Sequence, residues 1–255
     1  MPFNDFTVVI PARYASTRLP GKPLAMIGNK PMIQHVYERA LMSGADRVVV
    51  ATDDQRIVDT VKSFDGDVCL TRADHVSGSD RLAEVCEFLQ LADDAIVVNV
   101  QGDEPFISAE NIRQVAKNLR DSDCHMATLS TSIDKTEEVF NPNVVKVVAD
   151  QHNKALYFSR APIAWQRGHF EEGKVNDLSL MQRHIGIYAY RAGFLADYVK
   201  MPPAALEVAE SLEQLRVLAN GYSIHIEQAK EAPGLGVDTL EDLLAAENYY
   251  RTHRL

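Results

Sequence analysis

Three cations, Arg13, Arg18 and Lys22, fall within the single segment Pro11-Ala12-Arg13-Tyr14-Ala15-Ser16-Thr17-Arg18-Leu19-Pro20-Gly21-Lys22-Pro23. Guanidinium forks and an ammonium point charge suit a polyphosphate, with Ser16, Thr17 and loop amides as neutral donors. The segment is not a P-loop, because GxxxxGK[ST] is absent, and no GxGxxG marks a dinucleotide site. Asp103, in Gln101-Gly102-Asp103-Glu104-Pro105, supplies the complementary chemistry. A carboxylate facing a basic phosphate loop holds Mg²⁺ on phosphate oxygens. Because Mg²⁺ takes one or two protein carboxylates and keeps several waters, a partner is expected. Asp238, in Gly236-Val237-Asp238-Thr239, is the best candidate; read alone, it is a helix N-cap.

Other polar groups lie in frames that could serve a ligand. Thr71-Arg72-Ala73-Asp74-His75-Val76-Ser77-Gly78-Ser79-Asp80-Arg81 follows a strand and opens a helix, whose first amides favour an anion or a base edge. Its plainer reading is an N-cap at Ser77 or Ser79 with a helical ion pair. In Arg183-His184-Ile185-Gly186-Ile187-Tyr188, a period of two puts His184, Gly186 and Tyr188 on one strand face. Arg160 and the pair Glu213-Gln214 are polar groups in apolar frames, readable also as surface ion pairs. No residue stands out as a covalent nucleophile, so direct displacement is favoured. Cys69, Cys86 and Cys124 match no zinc pattern, and small buried hydrophobes in a reducing cytoplasm are expected.

These groups need a scaffold that gathers them. The 255 residues suit one large domain or one with a substantial insertion. Hydrophobic residues make up 46% and charged residues 24%, enough for a sizeable core. The formal net charge of -10 argues against nucleic-acid or anionic-membrane binding, though not against a small anion in a basic loop. No apolar run is long enough to cross a bilayer, and the N-terminus has no secretory pattern. Strands are expected at 6–10, 47–51, 67–70 and 95–100, alternating with helices at 31–43, 55–64 and 80–90. Continuous apolar strands between amphipathic helices read as an α/β, doubly wound, mostly parallel sheet, with ligands beyond the strand C-terminal ends. Further along, strands are expected at 126–132, 144–149, 155–158, 184–190 and 223–229, with helices at 193–200, 206–219 and 239–251. Residues 166–182 read as a mobile loop. The chain reads as one domain over 1–255, with an insertion within 123–232.

The chain resembles the 3-deoxy-manno-octulosonate (Kdo) cytidylyltransferases, or CMP-Kdo synthetases, over essentially its whole length. Six blocks carry the resemblance: Ile10 to Leu24, Gln101 to Pro105, Leu156-Tyr157-Phe158-Ser159-Arg160, Arg183 to Tyr188, Leu212-Glu213-Gln214-Leu215-Arg216, and Gly236 to Thr239. It implies the reaction CTP + Kdo → CMP-Kdo + diphosphate, activating the sugar for lipopolysaccharide synthesis, by Mg²⁺-assisted in-line attack of the sugar 2-hydroxyl on the α-phosphate. It implies that Arg13, Arg18 and Lys22 hold the triphosphate and act with Asp103 and Asp238, the metal-binding pair. Pro11, Ala12, Thr71, Arg72, Ser77, Gly78, Arg81, Gln101 and Gly102 would contact the nucleotide. Gln101, Arg160, His184, Tyr188, Glu213 and Gln214 would line the sugar site, with Arg160 first for the sugar carboxylate and Arg167 reaching in from the loop. The insertion would bind sugar and form a homodimer. One departure is Gln166, where an acidic residue is expected before Arg167. The alternatives are the 8-amino-Kdo variant, a CMP-sialic acid synthetase and a non-catalytic nucleotide-binding module.

Overall fold

The structure is a computed structural model that describes residues 5–15, 18–75, 77–171 and 173–253. Its first half runs β1 (Thr7–Pro11), a 3-10 turn (Lys22–Leu24), a ladder of β2 (Met26–Ile27) with β3 (Lys30–Pro31), α1 (Met32–Met42), β4 (Arg47–Thr52), α2 (Gln55–Ser63), β5 (Val68–Leu70), α3 (Gly78–Phe88), β6 (Ile96–Asn99) and α4 (Ala109–Asp121). The second half runs β7 (Met126–Ser132), α5 (Thr136–Phe140), β8 (Lys146–Ala149), β9 (Ala155–Ser159), β10 (Phe170–Glu171), β11 (Lys174–Val175), β12 (Gln182–Arg191), α6 (Ala192–Tyr198), α7 (Ala205–Glu210), α8 (Gln214–Ala219), β13 (Ile224–Gln228) and α9 (Leu240–His253).

Among the described residues one nine-stranded sheet carries the fold, in the order β13-β7-β12-β6-β1-β4-β5, with β8 against β12 and β9 against β8. The strands β6, β1, β4 and β5 are parallel, as are β7 and β13. Between these groups β12 runs antiparallel to both β6 and β7. The expected doubly wound α/β sheet is therefore present, with one reversed central strand. Alternation divides the core. Val8, Ile10, Val48 and Val50 pack with Ile33, Val36, Ile57 and Ile112 on one face, whereas Val9, Val49 and Val97 pack with Leu82, Val85, Leu195 and Leu215 on the other. Burying each such side chain contributes about 1.5–3 kcal/mol.

Three local expectations change. The sequence reading held no element between 105 and 126, yet α4 is there: Ser108 Oγ accepts from the Asn111 amide at 3.1 Å, and Ile112, Val115, Ala116 and Leu119 form its buried stripe. The helix expected over 206–219 is two helices, because Ser211 adopts a left-handed backbone (φ 52) at the end of α7. The expected mobile loop at 166–182 contains the β10–β11 ladder, with Trp165 stacked on Phe170 at 4.3 Å and Val175 and Met181 packed against Ile133 and Val139.

Candidate active site

Two strand ends and one loop build a cleft of about 380 Å³. β1 ends at Pro11 and the chain leaves β6 into Gln101 and Gly102; these residues line it with Ala12, Arg13, Arg18, Lys22, Gly78, Asp103 and Asp238. Gly102 is a matter of room: a Cβ there would lie 2.9 Å from the Pro11 carbonyl oxygen. Gly21, at φ +69, turns the chain into the 3-10 turn that presents Lys22, and its amide donates to the Tyr14 carbonyl at 3.1 Å. The Arg13 guanidinium donates to the His75 carbonyl at 2.8 Å, tying the basic loop to the loop after β5. Ser16 and Thr17 lie outside the described residues, as does Val76.

At the centre, Lys22 Nζ donates to Asp103 Oδ2 at 2.6 Å and to Asp238 Oδ1 at 3.0 Å. Arg18 reaches the same Asp238 oxygen at 3.0 Å. Burial alone would lower the Lys22 pKa, but the two carboxylates outweigh it and hold the ammonium above its ordinary value. The aspartates meet because the Val237 amide donates to the Asp103 carbonyl at 2.9 Å. Asp238 does not cap α9. Thr239 does so instead, its Oγ1 accepting from the Asp242 amide at 3.2 Å while Asp242 accepts from the Thr239 amide at 2.9 Å. The Asp238 carboxylate is thereby left to the cleft. Two carboxylates already sharing one cation are a fitting donor set for a hard divalent ion. Among the described residues no group of three or more His, Cys, Asp or Glu forms a metal cluster, so waters and phosphate oxygens would complete such a shell. Beside Asp103, the Glu104 carboxyl is pushed up to about 7, by burial first and by the Asp103 charge second.

The second loop divides. Gly78 enters the cleft, whereas Ser77 is the N-cap of α3 in a reciprocal box with Asp80. Arg81 is buried, donating to Thr71 Oγ1 and pairing with Asp53 at 3.3 Å; Arg81 and Thr71 thus brace the ends of β4 and β5 and do not line the cleft. Arg72 turns to Asp74 at 3.4 Å, in a separate groove of about 700 Å³ between α3 and α6. Thr71, Arg72 and Arg81 are therefore not brought into the lining of this cleft.

Beyond the cleft, α8 and α3 meet where Ser79 Oγ donates to Glu213 Oε2 at 3.2 Å. The adjacent Gln214 is buried and its Nε2 has no partner among the described residues, and the same holds for Asn99 Oδ1 on β6. Tyr188 lies opposite Asn99 across β6 and β12, and burial holds its hydroxyl well above the ordinary tyrosine pKa. His184 packs edge-on to Phe158 at 5.1 Å, and burial pushes its imidazole down to about 3. With Glu104 and Arg183 it lines a second cavity of about 260 Å³. Arg167 is exposed in the turn closed by the His169 amide on the Gln166 carbonyl. Arg160 is held by backbone acceptors. Its guanidinium donates to the backbone carbonyls of Glu210 (2.6 Å), Pro142 (2.8 Å) and Ser211 (3.4 Å), a clamp on the end of α7.

A family profile described as cytidylyltransferase matches residues 7–227. A 3-deoxy-manno-octulosonate cytidylyltransferase of Photobacterium profundum is 62% identical over 239 residues, covering 94% of this chain and 96% of that protein. Those of Vibrio vulnificus and Histophilus somni are 61% and 58% identical, each over 94% of this chain and 95% and 96% of theirs. A solved structure of a CMP:2-keto-3-deoxy-manno-octonic acid synthetase complexed with CTP superposes with a TM-score of 0.89, at 43% identity over 97% of this chain and 99% of that one. The chain belongs to the 3-deoxy-manno-octulosonate cytidylyltransferase family. In this cytidylyltransferase the sequence reading passed over Thr128, whose hydroxyl lies 3.0 Å from His184 Nε2, and Asn99. Neither carries a local signal, since each reads as an ordinary strand residue until its neighbours are known.

Proposed function

We propose that this protein catalyses CTP + Kdo → CMP-Kdo + diphosphate, and that the cleft between Lys22, Asp103 and Asp238 is where it does so. One observation carries the assignment of the cleft: carboxylates from two distant segments, Asp103 and Asp238, converge on the Nζ of Lys22 in the loop after β1, at 2.6 and 3.0 Å. In this reading the sugar 2-hydroxyl attacks the α-phosphorus in line with the departing diphosphate. The new O–P bond forms as the bond to the β-phosphate oxygen breaks, and the hydroxyl proton passes to solvent. Positioning and charge neutralisation do most of the work in such a displacement. Arg13 and Arg18 bind phosphate oxygens, and Lys22 leaves its two aspartates to neutralise charge growing on the leaving diphosphate. Asp103 and Asp238 would hold Mg²⁺, which would supply Lewis-acid polarisation of the phosphate under attack. Gly102 and Gly78 let the nucleotide approach the backbone, while Gln101, Gln214, Glu213, Tyr188 and His184 meet the sugar.

Within 123–232, Leu156, Trp165, Leu180, Leu206 and Val208 leave apolar surface open that a homodimer formed by that region would cover, although exposed apolar side chains such as Met42, Phe88 and Leu244 lie outside it too. Three free, buried cysteines fit a reducing cytoplasm. The test of activity is diphosphate release from CTP and Mg²⁺ with Kdo, its 8-amino analogue or sialic acid. Release with Kdo is expected; release with another sugar only, or with none, overturns the reading.

A further inference from the structure

The pairing of β12 with β7 shifts between Ile185 and Tyr188: Ile185 lies opposite Leu129, yet Tyr188 lies opposite Thr128. Gly186 and Ile187 are thus the extra residues of a bulge, which turns two carbonyls toward one side chain. Thr128 Oγ1 donates toward the Ile187 carbonyl at 2.7 Å and the Ile185 carbonyl at 3.1 Å. His184 Nε2 lies 3.0 Å from the same oxygen. A hydroxyl has one proton and two lone pairs, whereas a carbonyl only accepts. The Thr128 proton is therefore committed to the bulge, and toward His184 the oxygen can only accept.

We propose that Thr128 is a positioning residue of the sugar site: it fixes His184 as the Nε2–H tautomer, so that Nδ1 offers a lone pair to a hydroxyl of the substrate sugar. This rests on the reading of His184 as a sugar contact. The ring is neutral, since burial holds its pKa near 3, and its ring neighbours, Phe158 at 5.1 Å and Tyr188 at 5.3 Å, give an imidazolium no countercharge. Among the described residues Nδ1 has no hydrogen-bond partner, and His184 borders the 260 Å³ cavity beside Glu104. A neutral acceptor repels a carboxylate and takes an O–H. His184 thereby reads a hydroxyl and rejects the acid group of the same sugar, and it does so because a bulge two residues away uses up the threonine proton.

Two measurements test this. In the ¹⁵N-labelled full-length protein without substrate, long-range ¹H–¹⁵N correlation, with His184 assigned by its loss in His184→Gln, should show the proton on Nε2. A proton on Nδ1, or an imidazolium at pH 7, overturns the proposal without recourse to any variant at Thr128. In steady-state kinetics Thr128→Val should raise the KM for Kdo about tenfold, with the KM for CTP within about twofold, and Thr128→Ser should restore it. An unchanged KM for Kdo, or an equal rise for both substrates that serine does not rescue, also overturns it. If the wild-type enzyme releases no diphosphate from CTP and Kdo, the functional reading fails and takes the ligand of Nδ1 with it. A wrong tautomer in an active enzyme sinks this inference alone.

Discussion

Lys22 stands between two aspartates that the metal-binding reading also claims, and that competition makes the residue scale testable. With Asp103→Asn, one oxygen of the shared shell becomes an amide. The expected result is a kcat reduced at least ~100-fold, about 2.7 kcal/mol of transition-state stabilisation, with an unaltered circular dichroism spectrum. Near-normal turnover would remove Asp103 from the chemistry. His184 gives a pH prediction of definite sign. In the folded protein its pKa is lowered by burial to about 3, against the ordinary 6.5 that the unfolded chain approaches. Between those values the unfolded state binds more protons, so this contribution is present in full above about 6.5 and is lost as pH falls toward 3. The slope is at most about 1.4 kcal/mol per pH unit. Urea unfolding at pH 7.5 and 5.0 should show a smaller acid loss in His184→Gln than in the wild type.

At the scale of elements, the site depends on how closely strand ends and loops approach. Gly102→Ala puts a methyl group 2.9 Å from the Pro11 carbonyl, a backbone atom that cannot step aside. The exits of β1 and β6 must separate, and the KM for CTP should rise several-fold, about 1 kcal/mol of binding, while the KM for Kdo changes less. Arg160→Ala removes donors to three carbonyls that fasten α7 to the turn at Pro142. Loss of those bonds should lower unfolding stability by about 1–3 kcal/mol, read as a shifted urea midpoint at constant m-value. Elements were legible where period and caps agree: α2 follows Asp54 as its N-cap, and α3 follows Ser77. The division of 206–219 was not legible, because the left-handed Ser211 is a non-glycine residue and its apolar stripe runs on across the break. α4 shows the reverse case: its Ser108 cap and its stripe of Ile112, Val115, Ala116 and Leu119 are both written in the sequence, where no element was expected.

At the scale of the whole molecule, the proposed homodimer is testable through apolar side chains left in solvent. Leu206 (50% exposed) and Val208 (66%) on α7, together with Trp165 (66%), are large surfaces for a monomer to leave open. Size-exclusion chromatography with light scattering should give a dimer for the wild type and a shift toward monomer for Val208→Glu; a monomeric wild type would refute the assignment. The sequence by itself determined the alternation of parallel strands with helices, the strand-end position of the Arg13–Lys22 loop and the identity of the blocks, because periodicity and capping act over one turn or one pleat. Only the tertiary structure decided that Lys22 meets Asp238 across 216 residues, that Arg81 and Arg160 are spent on internal partners, and that Thr128 faces His184. The order of strands in the sheet, and a bulge within β12, set those distances. Neither is a local property of the chain.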